Sequence, residues 1–316
     1  MKPFNNNSKN SDCVYFEKSK MNIFEYYSFW KEQKQKSLIF KKLAIISQTY
    51  LREGYPRYFA IFAYDGNSNL VNLYGYPENW QIDLILSFLD SKKIISGVAL
   101  DIGANIGTHA VRFANYYDEV ICFEPHPMTS QLLAYNLKSY APNSSFHRLG
   151  LFSVRKKMQL SDGASTNIGA FSVCNSIDDG EVYDVECVPL DEIDSIKNKN
   201  IGLIKIDTEG AEFDVLKGAV NTIEKNHPVI IMEDWQSKNG IKSDAVQLLE
   251  KYGYVTFLHP LIYPERRNGK GFVRMINYVI NVMEIVLKSS SYVIRKCYFD
   301  SPEGYELLVA LHKDHI

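Results

Sequence analysis

The sequence predicts a doubly wound α/β fold with a mostly parallel central sheet, and three observations carry that expectation. From Val98 onward six short apolar runs recur: "GVALDIG", "EVICFEP", "SFHRLGLF", "IGLIKIDTEG", "HPVIIMED" and "GYVTFLH". Helical stretches at 105–117, 127–140, 211–226 and 241–252 separate most of them. Strands that are apolar on both faces and alternate with helices build a parallel sheet covered on both sides. Four of the runs then end in acid, at "LDIGANIG", "CFEPHP", "KIDTEGAE" and "MEDW". In such sheets the ligand sits beyond the carboxyl ends of the strands, so these acids converge on one rim.

Taken in order, residues 1–20 are polar, and 21–50 carry apolar positions at mixed three- and four-residue spacing, which predicts one or two helices. "RYFAIFAY" and "NLVNLY" flank "DGNS" and read as a hairpin. "PENWQIDLILSFLDSKK" reads as a helix. These pieces make residues 1–90 an accessory segment of helices and a hairpin, ahead of an α/β domain at 91–316. Between the third and fourth runs lies a longer stretch, 152–200, with "KKMQLSDG" and "YDVECVPL". A last apolar run, "YELLVALHK" at 305–313, is expected to close the sheet as an antiparallel strand beside the sixth. Residues 259–304 then form an insertion that opens on the acidic rim, carrying the helical "FVRMINYVINVMEIVLK" and the basic "ERRNGKG" as a lid or substrate wall.

Composition narrows the function classes. The 316 residues are 46% hydrophobic, enough for one large core. A formal charge of −2, with no basic stripe, argues against a nucleic-acid partner. The five cysteines, Cys13, Cys122, Cys174, Cys187 and Cys297, form no CxxC pair and read as reduced, which fits a cytoplasmic location. The amino-terminal stretch shows no apolar h-region. No uncharged apolar run reaches 18 residues, so no transmembrane segment is expected. A homo-oligomer stays open.

The first strand ends in "DIGANIG". Gly103 and Gly107 let the backbone turn sharply and approach a ligand, and the helix that follows presents free N–H groups. Glu124 ends the second strand, where a carboxylate accepts hydrogen bonds from ribose hydroxyls. These features fit any adenosine-type ligand. Asp101 discriminates among them. A carboxylate repels a pyrophosphate but favours an ammonium and a cationic sulfonium, and DxGxxxG is not the dinucleotide spacing GxGxxG. Electrostatics therefore prefer S-adenosylmethionine (SAM) over NAD.

Three blocks, "DIGANIGTHAVRFA", "VICFEPHPMTSQLLAYNLK" and "IGLIKIDTEGAEFDVLKGA", resemble the FkbM family of SAM-dependent methyltransferases. The resemblance runs from about Tyr74 to Trp235. It implies a Rossmann-like class I methyltransferase fold and O-methylation of a hydroxyl on a sugar, glycan or natural product. It also implies that Asp101, Gly103, Asn105, Gly107 and Glu124 contact the cofactor, and Thr108, Pro125, His126 and Asp207 are expected to bind it beside them. Where the family commonly has an aromatic after the second glycine, Thr108 and His109 stand in the turn.

A sugar hydroxyl is a poor nucleophile at neutral pH, so a base or a metal should help remove its proton. Asp207 and Glu209 in "DTEG", Glu233 at the next strand end, and His109 are the catalytic candidates. Glu212, one helical turn after Glu209, reads equally as an acid answering a helix dipole. Asp207 with Glu233 or Asp234 would offer oxygen ligands to Mg²⁺. His126 is expected near the adenine and His259 as an alternative base. Ser165 and Asn167 in "SDGASTNIGAF" are candidates for the acceptor pocket. Two competing activities remain, an N-methyltransferase and a non-catalytic SAM-binding protein. The Asn/Asp-Pro-Pro-aromatic motif of many N-methyltransferases is absent, since "DTEG" stands in its place, and this favours oxygen.

Overall fold

The structure is a computed structural model. It describes residues 59–62, 79–161, 182–263, 291–302 and 304–316, with Lys34, Leu38 and Val71. The chain divides into two compact units, Met1–Tyr55 and Pro56–Ile316. The central sheet and the helices that cover it lie in the second. The expected hairpin at 57–74, the "SDGASTNIGAF" loop with Ser165 and Asn167, and the helix in the insertion lie largely or wholly outside the described residues.

The elements follow in chain order as α1 (Asn79–Ser91), β1 (Val98–Ile102), α2 (Thr108–Phe113), β2 (Glu119–Phe123), α3 (Pro127–Tyr140), β3 (Ser144–His147), β4 (Gly150–Leu151), β5 (Lys156–Ser161) and β6 (Val182–Val188). Then come β7 (Ile201–Ile206), α4 (Glu212–Lys217), α5 (Val220–Asn226), β8 (Val229–Asp234), α6 (Asp244–Lys251), β9 (Tyr254–Tyr263), β10 (Ser291–Lys296) and β11 (Tyr305–His312). Eight strands form one sheet in the order β10-β9-β11-β8-β7-β1-β2-β3. β3, β2, β1, β7 and β8 are parallel, and β11 inserts antiparallel between β8 and β9. This is the doubly wound Rossmann-like class I order, with the reversal of direction between β1 and β7.

The pleat sorts the residues into two cores. Leu100, Ile102, Ile204, Ile206 and Met232 face the side covered by α4 and α6. Ala99, Leu203 and Ile231 face the side covered by α1, α2 and α3, where Ile82, Ile85, Leu86 and Leu89 form the apolar stripe of α1. Among the described residues no helix is long and apolar enough to cross a membrane.

Several expectations change. The run "SFHRLGLF" splits. β3 stays in the large sheet, and β4 joins a separate three-stranded sheet ordered β4-β6-β5. That small sheet fills much of the stretch expected to be only a long crossover. The helix at 211–226 is two helices, α4 and α5, with the break at Ala219, which leaves helical geometry at φ −119°. Gly218 before it packs against the Phe152 backbone, where a Cβ would lie 2.2 Å from the carbonyl oxygen. β10 is an extra strand inside the expected insertion, antiparallel to β9.

Candidate active site

A cavity opens at the carboxyl ends of β1, β2 and β7. Gly103 and Asn105 from the turn after β1, Phe123, Glu124 and Pro125 from β2, and Asp207 to Glu209 from the turn after β7 line it. The small sheet supplies an apolar wall through Leu151, Met158, Leu160 and Cys187.

Glu124 organises the floor. Its Oε2 accepts the Asn105 N–H at 3.0 Å and its Oε1 accepts the His126 N–H at 2.9 Å. Burial pushes its carboxyl up to about 7, against the pull of those two N–H groups. Each oxygen keeps a lone pair for a further donor.

Asp101 sits elsewhere than expected. It shares the parity of Ala99, so its side chain lies under α2, fully buried and off the cavity wall. Burial raises its carboxyl, and the ammonium of Lys205 acts in the opposite sense. Lys205 stands directly across the ladder from Asp101 and is 2% exposed. Its Nζ lies 3.8 Å from Asp101 Oδ1 and 2.8 Å from Asp207 Oδ2. The motifs alone miss Lys205. Its signal in the sequence is a lone cation in an otherwise apolar strand, "IGLIKI", which requires an anion on a neighbouring strand.

Gly107, Thr108, His109 and His126 do not line the cavity either. Gly107 caps α2, and Thr108 begins it. His109 is buried in α2 beside Phe113, with ring centroids 6.4 Å apart. His126 caps α3, its Nδ1 accepting the Thr129 N–H at 3.3 Å. An N-cap followed by Pro127 is legible as a helix start, which accounts for this histidine better than contact with adenine. His259 lines a separate pocket with Arg295 and Tyr305.

The acidic rim divides by strand parity. Glu233 lies on the same face as Asp207, and burial, then the Asp207 charge, pushes its carboxyl up to about 7. Its Oε2 accepts the indole N–H of the half-exposed Trp235 at 2.9 Å. Asp234 points to the opposite face, is 4% exposed, and accepts the Ser237 N–H. Asp207, Glu233 and Asp234 therefore do not gather as a metal site among the described residues. Asp234 faces away from Asp207 and Glu233, and the Lys205 ammonium already pairs with Asp207. Glu212 is spent locally, its Oε1 accepting the N–H groups of Thr208 and Gly210 at 3.1 and 3.0 Å. This closes a turn in which Glu209 holds φ 52°, a left-handed conformation that costs a non-glycine residue about 1–2 kcal/mol. Glu209 lines both this cavity and a neighbouring pocket bounded by Glu233, Asp234 and Trp235.

The family model for the methyltransferase FkbM domain matches residues 101–256. Over that span, just under half of its length, the chain is similar to FkbM methyltransferases. The matched span holds the cavity's turns, the small sheet and the acidic rim. A solved FkbM methyltransferase from Methylobacillus flagellatus is 22% identical, with TM-score 0.33, over 44% of this chain. The match spans 32% of the Methylobacillus chain, so this chain covers about a third of that relative. A precorrin-6y C5,15-methyltransferase from Geobacter metallireducens is 12% identical over 72% of this chain and 87% of its own, with TM-score 0.37. A TehB-like SAM-dependent methyltransferase from Corynebacterium glutamicum is 13% identical over 84% and 96%, with TM-score 0.37. No curated protein matches the chain.

Proposed function

We propose that the protein is a SAM-dependent O-methyltransferase acting on a hydroxyl of a sugar, glycan or natural product. The observation that carries this reading is Glu233. It is a half-buried carboxyl pushed up to about 7, on the same face as Asp207 and bordering a pocket that shares Glu209 with the cavity beside Glu124.

The residues of the cavity at the ends of β1, β2 and β7 fit SAM. Glu124 has free acceptor capacity for ribose hydroxyls, Phe123, Leu149 and Leu151 offer an apolar slot for adenine, and Asp207 offers a carboxylate to the ammonium. When bound, SAM supplies an electrophilic methyl group to an acceptor oxygen attacking in line. Glu233 takes the proton from the acceptor hydroxyl. A base is most effective when its pKa lies near the working pH. The Lys205 ammonium, 2.8 Å from Asp207 Oδ2, holds that carboxylate in orientation. The apolar wall of Met158, Leu160 and Cys187 keeps water from the reacting centre.

Two outcomes test this. Glu124→Ala should weaken SAM binding by about 1.5–3 kcal/mol, the range for hydrogen bonds to a charged group. Calorimetry giving wild-type affinity would remove Glu124 from the site. Glu233→Gln should lower kcat about 10²–10⁴-fold, with SAM affinity nearly unchanged. The wild-type kcat should rise with pH and level off above about 7, because the base must be unprotonated. A flat profile, or full turnover by Glu233→Gln, would move the base elsewhere. Transfer from labelled SAM to fractionated glycans and small molecules identifies the acceptor.

A further inference from the structure

At the edge of the sheet opposite the cavity, three side chains meet that methyl transfer does not use. His227 lies between α5 and the amino end of β8, and His312 closes β11. The two strands are antiparallel, so both residues reach the same edge. Asp314 follows in the short 3₁₀ turn Lys313–His315. Its Oδ2 lies 2.7 Å from His227 Nδ1 and 3.3 Å from His312 Nδ1. The two rings lie face to face, with centroids 3.7 Å apart and an interplanar angle of 14°. Among the described residues no other group of three places its donor atoms within 4.8 Å of one another.

Bond lengths of about 2.0–2.2 Å in a tetrahedral zinc site set neighbouring donor atoms about 3.3 Å apart. The spacings here are close to that. His312 Nδ1 accepts the Asp314 N–H at 3.2 Å, so this nitrogen carries a lone pair and no proton, the ligand form of imidazole. The ring is fixed by burial and by the edge of Tyr254, with centroids 5.5 Å apart. His227 is fixed from its backbone. It holds φ 48°, and its carbonyl oxygen lies 2.6 Å from His315 Nε2. A non-glycine residue persists in that conformation only where its surroundings impose it. The His227 ring is about a third exposed, and metal binding requires it to tilt out of its stack on His312 so that its nitrogen meets the ion in the ring plane. Two imidazoles and one carboxylate suit zinc and its neighbours, whereas Mg²⁺ and Ca²⁺ take oxygen ligands. Asp314 is half exposed, which leaves an entry path and a fourth position for water.

We propose that His227, His312 and Asp314 bind one zinc-class divalent ion, which ties the segment after β11 to the start of β8. The Asp314 N–H contact to His312 is exchanged for the metal bond. No ligand of this site lines the cavity, so loss of the site leaves methyl transfer intact, and failure of either reading is visible without the other.

The test uses the full-length protein, stripped by chelator and dialysed against Zn²⁺. One zinc per chain is expected, with a Tm that climbs with the logarithm of free Zn²⁺. His227→Gln and Asp314→Asn should each bind zinc at least tenfold more weakly, with SAM affinity unchanged. Co²⁺ loaded into the wild-type protein should show the visible bands of a four-coordinate nitrogen–oxygen site. Absence of bound zinc, wild-type zinc affinity in both variants, or a Co²⁺ spectrum equal to that of the hydrated ion would each overturn the proposal.

Discussion

Gly103→Ala should destabilise the protein by about 2–5 kcal/mol and abolish SAM binding with it. Two costs add. Gly103 holds φ 75°, where an L side chain costs about 1–2 kcal/mol. A Cβ there would lie 1.8 Å from the Asp207 carbonyl oxygen, a backbone atom that a rotamer change cannot move. Overpacking of this kind costs a further 1–3 kcal/mol or so. The glycine therefore serves first to let the turn after β1 lie against the end of β7, and the ligand's approach comes second. Urea unfolding reads the effect directly. A midpoint equal to that of the wild type would show that the two turns separate easily.

This changes the meaning of a motif that the sequence displays plainly. "DIGANIG" is legible as a strand end, and Gly103 as a residue under steric demand. Which atom makes the demand is not legible, because Asp207 is remote in sequence and adjacent only once β1 pairs with β7. Asp101 shows the same limit. Its charge suggests a ligand contact, but the pleat sends it under α2, and parity relative to the core decides this only after both faces are covered. The parallel strands themselves are readable from apolar runs such as "VALDI" and "IGLIKI", since burial on both faces leaves an unbroken pattern. β10 is not readable, because "SYVIRK" lies in a stretch whose neighbour "FVRMINYVINVMEIVLK" reads as helix. The small sheet escapes for a different reason. β5 and β6 are half solvated, and alternation such as Lys156, Met158, Leu160 is a weaker signal than a continuous apolar run.

Lys205→Met should cost about 3–5 kcal/mol, the usual result of removing one partner from a buried ion pair. The methionine fills the lysine's volume, so the loss is electrostatic. Asp101, fully buried and already raised by desolvation, would lose the charge that favours its ionised form. Adding Asp101→Asn removes the stranded charge. The double variant should therefore lose less than the sum of the two single losses, by about 0.5–3 kcal/mol, the coupling found between residues in contact. Denaturant midpoints of the four proteins in the cycle measure this. Additive losses would mean that Asp101 and Lys205 do not sense each other, and that Lys205 serves Asp207 alone.

The position of β11 governs how the chain is made. β8 and β9 are both translated before it, and each needs it as a neighbour in the sheet. Between the synthesis of Asp234 and that of His312 a ribosome working at about 5–20 residues per second takes roughly 4–16 s. During that interval Ile230, Ile231 and Met232 stand on an open strand edge, although all three are fully buried once the sheet closes. Such an edge is the surface on which nascent chains pair wrongly with one another. Recovery of folded protein should therefore depend on how fast the ribosome traverses codons 235–312 and on chaperones that shield the growing chain.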